Sequence, residues 1–283
     1  MKYYHVKEAI PTLLLLGAMF FVGRAIAGAV NETKETSAVV VQSENWGLGF
    51  GAEGAKPTGN ASIQEMKQYD AYYMSESDEK ILYLTFDCGY EKGNTEAILD
   101  ALKKHNAPAA FFVVGHYLES APDLVKRMVE EGHVVGNHTY HHPDMSKISD
   151  PAAFQKEMDD VKALYKDITG QEMAMYYRPP QGKYSTANLK MAKELGYSTF
   201  FWSLAYVDWN VDSLDWSKSS ADAIFNQVVA DLKHSNYPNE VVLLFHEKKL
   251  TLEVLPRVIE YYRNQGYVFM PYYEGEEFDC MKK

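Results

Sequence analysis

Six ionisable residues carry the chemistry in this sequence: Asp87, His138, His142, Arg178, Asp208 and His246. His138 and His142 stand four positions apart in HTYHHP, a spacing that lets both imidazoles reach one metal ion where the local turn permits. His141 between them leaves open which pair would bind, and a solvated histidine cluster is the plain alternative. Asp87 is suited to act as a base toward a metal-bound water. A metal lowers the pKa of such water toward ~7 and polarises a carbonyl oxygen, so a His-bound metal, a carboxylate and a further histidine describe hydrolysis of an acyl bond. Each residue also has an ordinary use: aspartate as a helix cap, histidine as a satisfied core residue, arginine as an ion-pair partner. Six separate accidents are disfavoured by where the residues fall.

From Lys80 onward, short apolar or β-branched runs alternate with helical periodicity, the signature of βα units. The runs are ILYLTF (81–86), AAFFVV (109–114), HVVGNH (133–138), MAMYY (173–177), YSTFFWS (197–203), VVLLFH (241–246) and YVFMP (267–271). Between them, Asn94 is a candidate cap for one helix, and Pro122 stands in the first turn of a second that Gly132 closes. Asp150-Pro151 opens a third that Gly170 stops, and Ser185 opens a fourth that Gly196 stops. Two more run near 220–234 and 251–265. About seven parallel strands with crossover helices fit a closed barrel or an open doubly wound sheet, and the pattern does not choose between them. Both architectures put reactive groups at the carboxyl ends of strands. Asp87 follows the first run, His138 and His142 the third, Arg178 the fourth and Asp208 the fifth, while His246 ends the sixth.

Composition sets the outer limits. The chain has 283 residues, 46% of them apolar and 13% aromatic, enough for a sizeable core. A net charge of −11 with no Lys/Arg cluster excludes a protein that coats nucleic acid. Lys2 and Lys7 precede an apolar run over 9–23, and Arg24 and AIAGAV follow it. That is the layout of a secretory signal, with an uncleaved membrane anchor over 9–30 as the alternative; either sends the remainder across a membrane. Four segments are expected: a signal or anchor at 1–30, a linker and irregular arm at 31–78, the main domain at 79–275, and a tail at 276–283 whose Cys280 stays unpaired. The arm is expected to pack through Trp46, Phe50, Tyr69, Tyr72 and Tyr73.

TFDCG (85–89), HTYHHP (138–143), RPPQG (178–182), WSLAYVDW (202–209) and LLFH (243–246) resemble the five ordered motifs of the polysaccharide deacetylase family, the NodB-homology domain or carbohydrate esterase family 4. The resemblance covers about residues 79–273, and FDCGYEKGNT, RPPQGKYS and FWSLAYVDWN are most similar to the delta-lactam-biosynthetic de-N-acetylases. It implies an α/β fold, a distorted (β/α)7-8 barrel. It also implies a peptidoglycan N-acetylmuramic acid deacetylase of the spore cortex, a hydrolase acting on linear amide C–N bonds. By position, Asp87 matches the catalytic base, His138 and His142 the metal ligands, and Arg178 the arginine that orients the base. Asp208 matches the carboxylate that tunes the acid, His246 the general acid, and the backbone N–H near Gln181 an oxyanion donor. Tyr90, Trp202, Tyr206 and Trp209 are candidates to stack on sugar rings.

The sequence departs from the family at Cys88, where the common motif carries a second, metal-binding Asp. Three readings stay open: a metal held by the two histidines and waters, a Cys88 thiolate ligand to a soft metal, or a buried Cys88 with metal binding weak or catalytically unimportant. The implied cofactor is a divalent metal, zinc first, with manganese or cobalt as alternatives. The implied partner is the glycan strand of peptidoglycan, acted on by a monomer outside the cytoplasm, in the wall or anchored to the membrane. Alternatives are a deacetylase of N-acetylglucosamine, chitin-like or xylan polymers, and a non-catalytic wall-binding barrel. Gln181, where the family usually has Tyr, and the YEKGNT loop favour muramic acid.

Overall fold

A computed structural model describes residues 44–49, 57–74, 79–205, 221–223, 225–226, 229, 241–246 and 248–271. The segment at 1–30 expected to be a signal or anchor, Phe50, Tyr206, Asp208, Trp209 and Cys280 lie outside the described residues. No helix among the described residues is long and apolar enough to cross a membrane.

Strand β5 (Ile81–Cys88) is the centre of the fold, and all eight of its residues are buried. A strand covered on both faces reads as a continuous apolar run, as 81–86 does. β5 pairs in parallel with β12 (Val241–His246) along one edge, and along the other with β6 (Ala109–Val113) and, at its amino end, β13 (Val268–Phe269). The main sheet runs β11 (Leu204–Ala205), β12, β5, β6, β7 (Val134–Asn137), β8 (Tyr176–Tyr177), β10 (Ser198–Phe200), β4 (Ala71–Tyr72). It is a mostly parallel sheet curled into part of a barrel with helices outside, the (β/α)7-8 architecture.

Alternation along β5 sorts the core. Leu82, Leu84, Phe86 and Cys88 face the helix layer, where they pack with Ile98, Leu99 and Leu102 of α2 (Thr95–Lys104), Val125 and Met128 of α4 (Pro122–Glu130), and Val254, Leu255, Val258 and Ile259 of α7 (Lys249–Asn264). Each of these buried aliphatic side chains contributes ~1.5–3 kcal/mol relative to exposure. Ile81 and Tyr83 face the interior with Ala110, Phe112, Tyr176 and Phe200, and Thr85 and Asp87 continue that row toward the carboxyl edge.

Within the described residues the helix signals hold with one change of mechanism; the helix expected near 220–234 lies largely outside those residues. Asp150 accepts from the Ala152 N–H to open α5 (Pro151–Thr169), and Gly170 closes it at φ 70°. Ser185 accepts from the Asn188 N–H to open α6 (Thr186–Glu194). α2 starts after Asn94 as expected, but the capping carboxylate is that of Glu91, which accepts from the N–H groups of Gly93 and Asn94 and from the Thr95 hydroxyl. The six-residue α3 (Gly115–Ser120) has no counterpart in the sequence pattern.

The strand runs at 81–86, 109–114, 133–138 and 241–246 fold nearly as marked, whereas MAMYY, YSTFFWS and YVFMP pair over only two or three residues each. In YSTFFWS the strand ends where the carbonyls of Phe200 and Phe201 accept from Arg178. The arm is more ordered than its composition implies. It carries α1 (Ile63–Lys67) with a full Ser62–Glu65 capping box, strand β4, a β2 (Leu48–Gly49)–β3 (Thr58–Gly59) pair, and β1 (Glu44–Asn45) antiparallel to β9 (Lys183–Tyr184). Two-residue strands have no period for a sequence pattern to show.

Candidate active site

Asp87 and His246 are register partners on the adjacent strands β5 and β12, so both side chains leave the same face of the sheet, strands ~4.8 Å apart. His246 is half-buried. Its carbonyl accepts from Lys248 N–H (2.8 Å) and Thr251 Oγ1 (2.7 Å), which ties the strand end to α7.

Arg178, just past β8, is fully buried and fills the space beneath Asp87. Its Nη1 donates to Asp87 Oδ1 and to Thr85 Oγ1, both at 2.8 Å. Nε donates to the Phe200 carbonyl (3.0 Å) and Nη2 to that of Phe201 (3.2 Å), and the guanidinium carbon lies 4.2 Å from the Phe112 ring centroid. The planar fork of arginine suits this multiple attachment, which a lysine could not reproduce. The carbonyls of 200 and 201 are the groups that β10 gives up by ending early. Burial acts to raise the Asp87 carboxyl, but the charge of Arg178, with His138 and His246 behind it, outweighs burial and holds it below the ordinary carboxylate value. Asp87 is therefore ionised and aimed.

His138 follows β7. Its Nδ1–H donates to the Arg178 carbonyl (2.7 Å), which leaves the Nε2 lone pair turned toward Asp87, 3.7 Å from Oδ2. Burial lowers its pKa to about 4, against the pull of Asp87, so the ring is neutral near neutrality. The His142 ring lies 5.0 Å from it, edge-on, and burial lowers His142 as well. The loop that joins them places Thr139 at φ 69° and His142 at φ 56°, held by Thr139 N–H to Asn137 Oδ1 (2.9 Å) and His142 N–H to Thr139 Oγ1 (3.1 Å).

The ambiguity over His141 is resolved by Glu157 of α5. One carboxylate oxygen accepts from the N–H groups of Tyr140 (3.0 Å) and His141 (2.9 Å), the other pairs with His141 Nδ1 (2.7 Å). His141 thus points to the helix, away from His138. Nothing in the local sequence marks Glu157 for this; the only signal is one of several carboxylates on the face of α5.

Cys88 is not brought to the histidines. It sits on the opposite face of β5 from Asp87, fully buried in the helix-layer core. Among the described residues, no group of three or more His, Cys, Asp or Glu is arranged to hold a metal ion. The donor set that fits a divalent metal is His138 Nε2 and His142, two neutral imidazoles, one with its tautomer fixed by a backbone carbonyl as metal-binding histidines commonly have it.

At the rim, Gln181 is exposed in a 3-10 turn, Pro180–Gly182, at φ 58°, ψ 12°. Trp202 is half-buried, its ring 5.8 Å from the Arg178 guanidinium carbon. Tyr90 is 66% exposed, with its ring 4.6 Å from that of His116.

The polysaccharide deacetylase family model matches residues 75–200. The peptidoglycan-N-acetylmuramic acid deacetylase PdaA of Bacillus subtilis is 38% identical over 83% of this chain and 86% of its own. The chain belongs to the polysaccharide deacetylase family. The solved structure of Bacillus subtilis PdaA, a family 4 carbohydrate esterase, superposes with a TM-score of 0.72 at 37% identity, covering 81% of this chain and 95% of that one. A peptidoglycan-N-acetylglucosamine deacetylase of Bacillus cereus is 34% identical over 69% of this chain and 87% of its own. The family fold accounts for the parallel sheet and for the arrival of Asp87, His138, Arg178 and His246 at one edge.

Proposed function

We propose that this chain hydrolyses the N-acetyl group of N-acetylmuramic acid residues in peptidoglycan, on the way to muramic δ-lactam in the spore cortex. The observation that carries the reading is the buried Asp87, fixed by Arg178 and adjoining His138 and His246, in a chain so similar to a muramic acid deacetylase. Asp87 takes a proton from the attacking water as its oxygen bonds to the acetyl carbon. The backbone N–H of Gln181 donates to the carbonyl oxygen as it gains negative charge. The C–N bond then breaks, His246 gives its proton to the departing sugar amine, and acetate leaves. Asp208 tunes His246. His138 and His142 are the residues that would hold a divalent metal, zinc first, which when bound polarises the acetyl carbonyl and acidifies water.

Residues 1–30 would carry the domain across the membrane as a signal or an anchor, and its place of action would be the wall or spore envelope. N-terminal analysis of the exported chain separates the two: cleavage near 25–30 indicates a signal. Deacetylation of N-acetylglucosamine polymers is the second reading, favoured by the similarity to the Bacillus cereus enzyme. Acetate yields from matched muramyl and glucosaminyl oligomers decide between them. The muramyl substrate is expected to give the larger yield, and a larger glucosaminyl yield replaces the first reading by the second.

A further inference from the structure

Gln181 and Gly182 occupy left-handed backbone conformations in succession, at φ 58° and 65°. For Gln181 this costs on the order of 1 kcal/mol and persists only where the surroundings hold it. The residue that holds it comes from the arm. The Trp46 N–H donates to the Gly182 carbonyl at 2.7 Å, extending the antiparallel pairing of Asn45 with Lys183. Trp46 Nε1–H donates to the Trp202 carbonyl at 2.9 Å, and its ring stacks on Phe201 at 4.5 Å. A Cβ at Gly182 would lie 2.7 Å from the Trp202 ring and 2.9 Å from Trp46 Cβ, so the turn is seated directly between the two tryptophans.

Trp46 is itself gripped. Asn60 accepts from Gly47 N–H at 2.8 Å and donates to the Asn45 carbonyl at 2.5 Å, bracketing it on both sides. The Gly59 Cα lies so close to the indole that an added Cβ would be 2.3 Å from the ring. The side chain is 6% exposed. One residue therefore joins the turn bearing Gln181 to the 200–202 segment whose carbonyls hold Arg178.

We propose that Trp46 is a positioning residue for the Gln181 turn, so that the working site extends into the arm, upstream of the residues 75–200 that match the family model. The proposal rests on the deacetylase reading above for its effect on rate, but not for its effect on the turn. It is tested in the full chain with Trp46→Ala and Trp46→Phe. Two readouts are used: hydrogen exchange of peptides covering 179–185 and 81–88, and steady-state acetate release from muramyl glycan.

In Trp46→Ala, exchange over 179–185 should quicken while 81–88 stays protected. kcat should fall on the order of tenfold or more with KM little changed, as expected when a transition-state donor is misplaced. Trp46→Phe keeps the stacking and the main-chain bond but lacks the Nε1–H donor to the Trp202 carbonyl, so it should recover part of both losses and leave a few-fold loss of kcat with turn exchange still faster than wild type. A general loss of stability would instead loosen both peptides together. Wild-type exchange in the turn, or wild-type kcat in folded Trp46→Ala, overturns the proposal. If Trp46→Ala does not fold, Trp46→Phe decides: a few-fold loss of kcat at unchanged KM with faster turn exchange supports it, and wild-type values overturn it. Faster turn exchange in a chain whose wild type releases no acetate would retire the deacetylase reading and leave the anchoring of the turn intact.

Discussion

The floor and the rim of the site are built on opposite terms. On the floor, Asp87, Arg178 and His138 are enclosed, and their hydrogen bonds run to backbone carbonyls and to each other: Phe200 and Phe201 hold Arg178, and Arg178 holds both Asp87 and His138. At the rim, His142 and Trp202 are half-buried while Gln181 and Tyr90 are exposed, and they are set by turns and loops. The floor fixes the charge and direction of the reacting groups before substrate arrives. On the proposed reading, the rim is where one sugar would be told from another.

The comparison is broken most forcefully at Arg178. Arg178→Met strips the buried Asp87 carboxylate of its cation, and the unfolding free energy should fall by about 3–5 kcal/mol, read by urea denaturation, with acetate release abolished. A stability unchanged within error would show that the floor is not held by this pair.

A second buried histidine tests the cost of enclosure away from the chemistry. His133 Nδ1 accepts from the Ala109 N–H, and burial lowers its pKa from 6.5 to about 4. Because the folded value is depressed, the unfolded chain takes the proton first on acidification. The contribution of His133 to stability is full above pH 6.5, declines as pH falls through that window and is lost by pH 4, a difference of about 3 kcal/mol. His133→Gln should flatten that part of the stability–pH curve; an unaltered slope would contradict the assignment.

Smaller effects are expected between floor and rim. Glu157→Gln keeps the side-chain shape but loses the charge that gathers two backbone N–H groups and His141 in the loop between His138 and His142, and zinc affinity measured by titration calorimetry should weaken by less than the ~10-fold seen when a group bonded directly to a metal ligand is lost. Tyr90→Ala should raise KM for a glycan oligomer by a few-fold, roughly the value of one stacked ring, and leave kcat alone. A drop in kcat would move Tyr90 from the rim to the chemistry.

The same division explains what was legible in the sequence. β5 and β12 were marked nearly to the residue because a strand buried on both faces is an unbroken apolar run, and Asp87 and His246 stood out as polar residues at its end. The caps at Asp150 and Ser185 were equally plain, since their chemistry is local. The arm was not. Its strands are two residues long, and beside local pairs such as Asn60 with Gly47 it is fixed by partners more than a hundred positions away, such as Trp46 with Trp202. Glu157 was invisible because its partners are backbone N–H groups and a histidine of another segment, and of the three readings open for Cys88 the structure favours the buried one, since alternation along β5 turns it to the face opposite Asp87.

The most direct test of an ionised, pre-aimed base is acetate release from peptide-free muramyl glycan by the wild type and by Asp87→Asn, with folding of both followed by circular dichroism. The variant should fold, since asparagine is isosteric and can still accept from Arg178, and its rate should fall by ~10²–10⁴, the usual contribution of a positioned acid–base group. A folded Asp87→Asn protein that releases acetate at the wild-type rate would contradict the account.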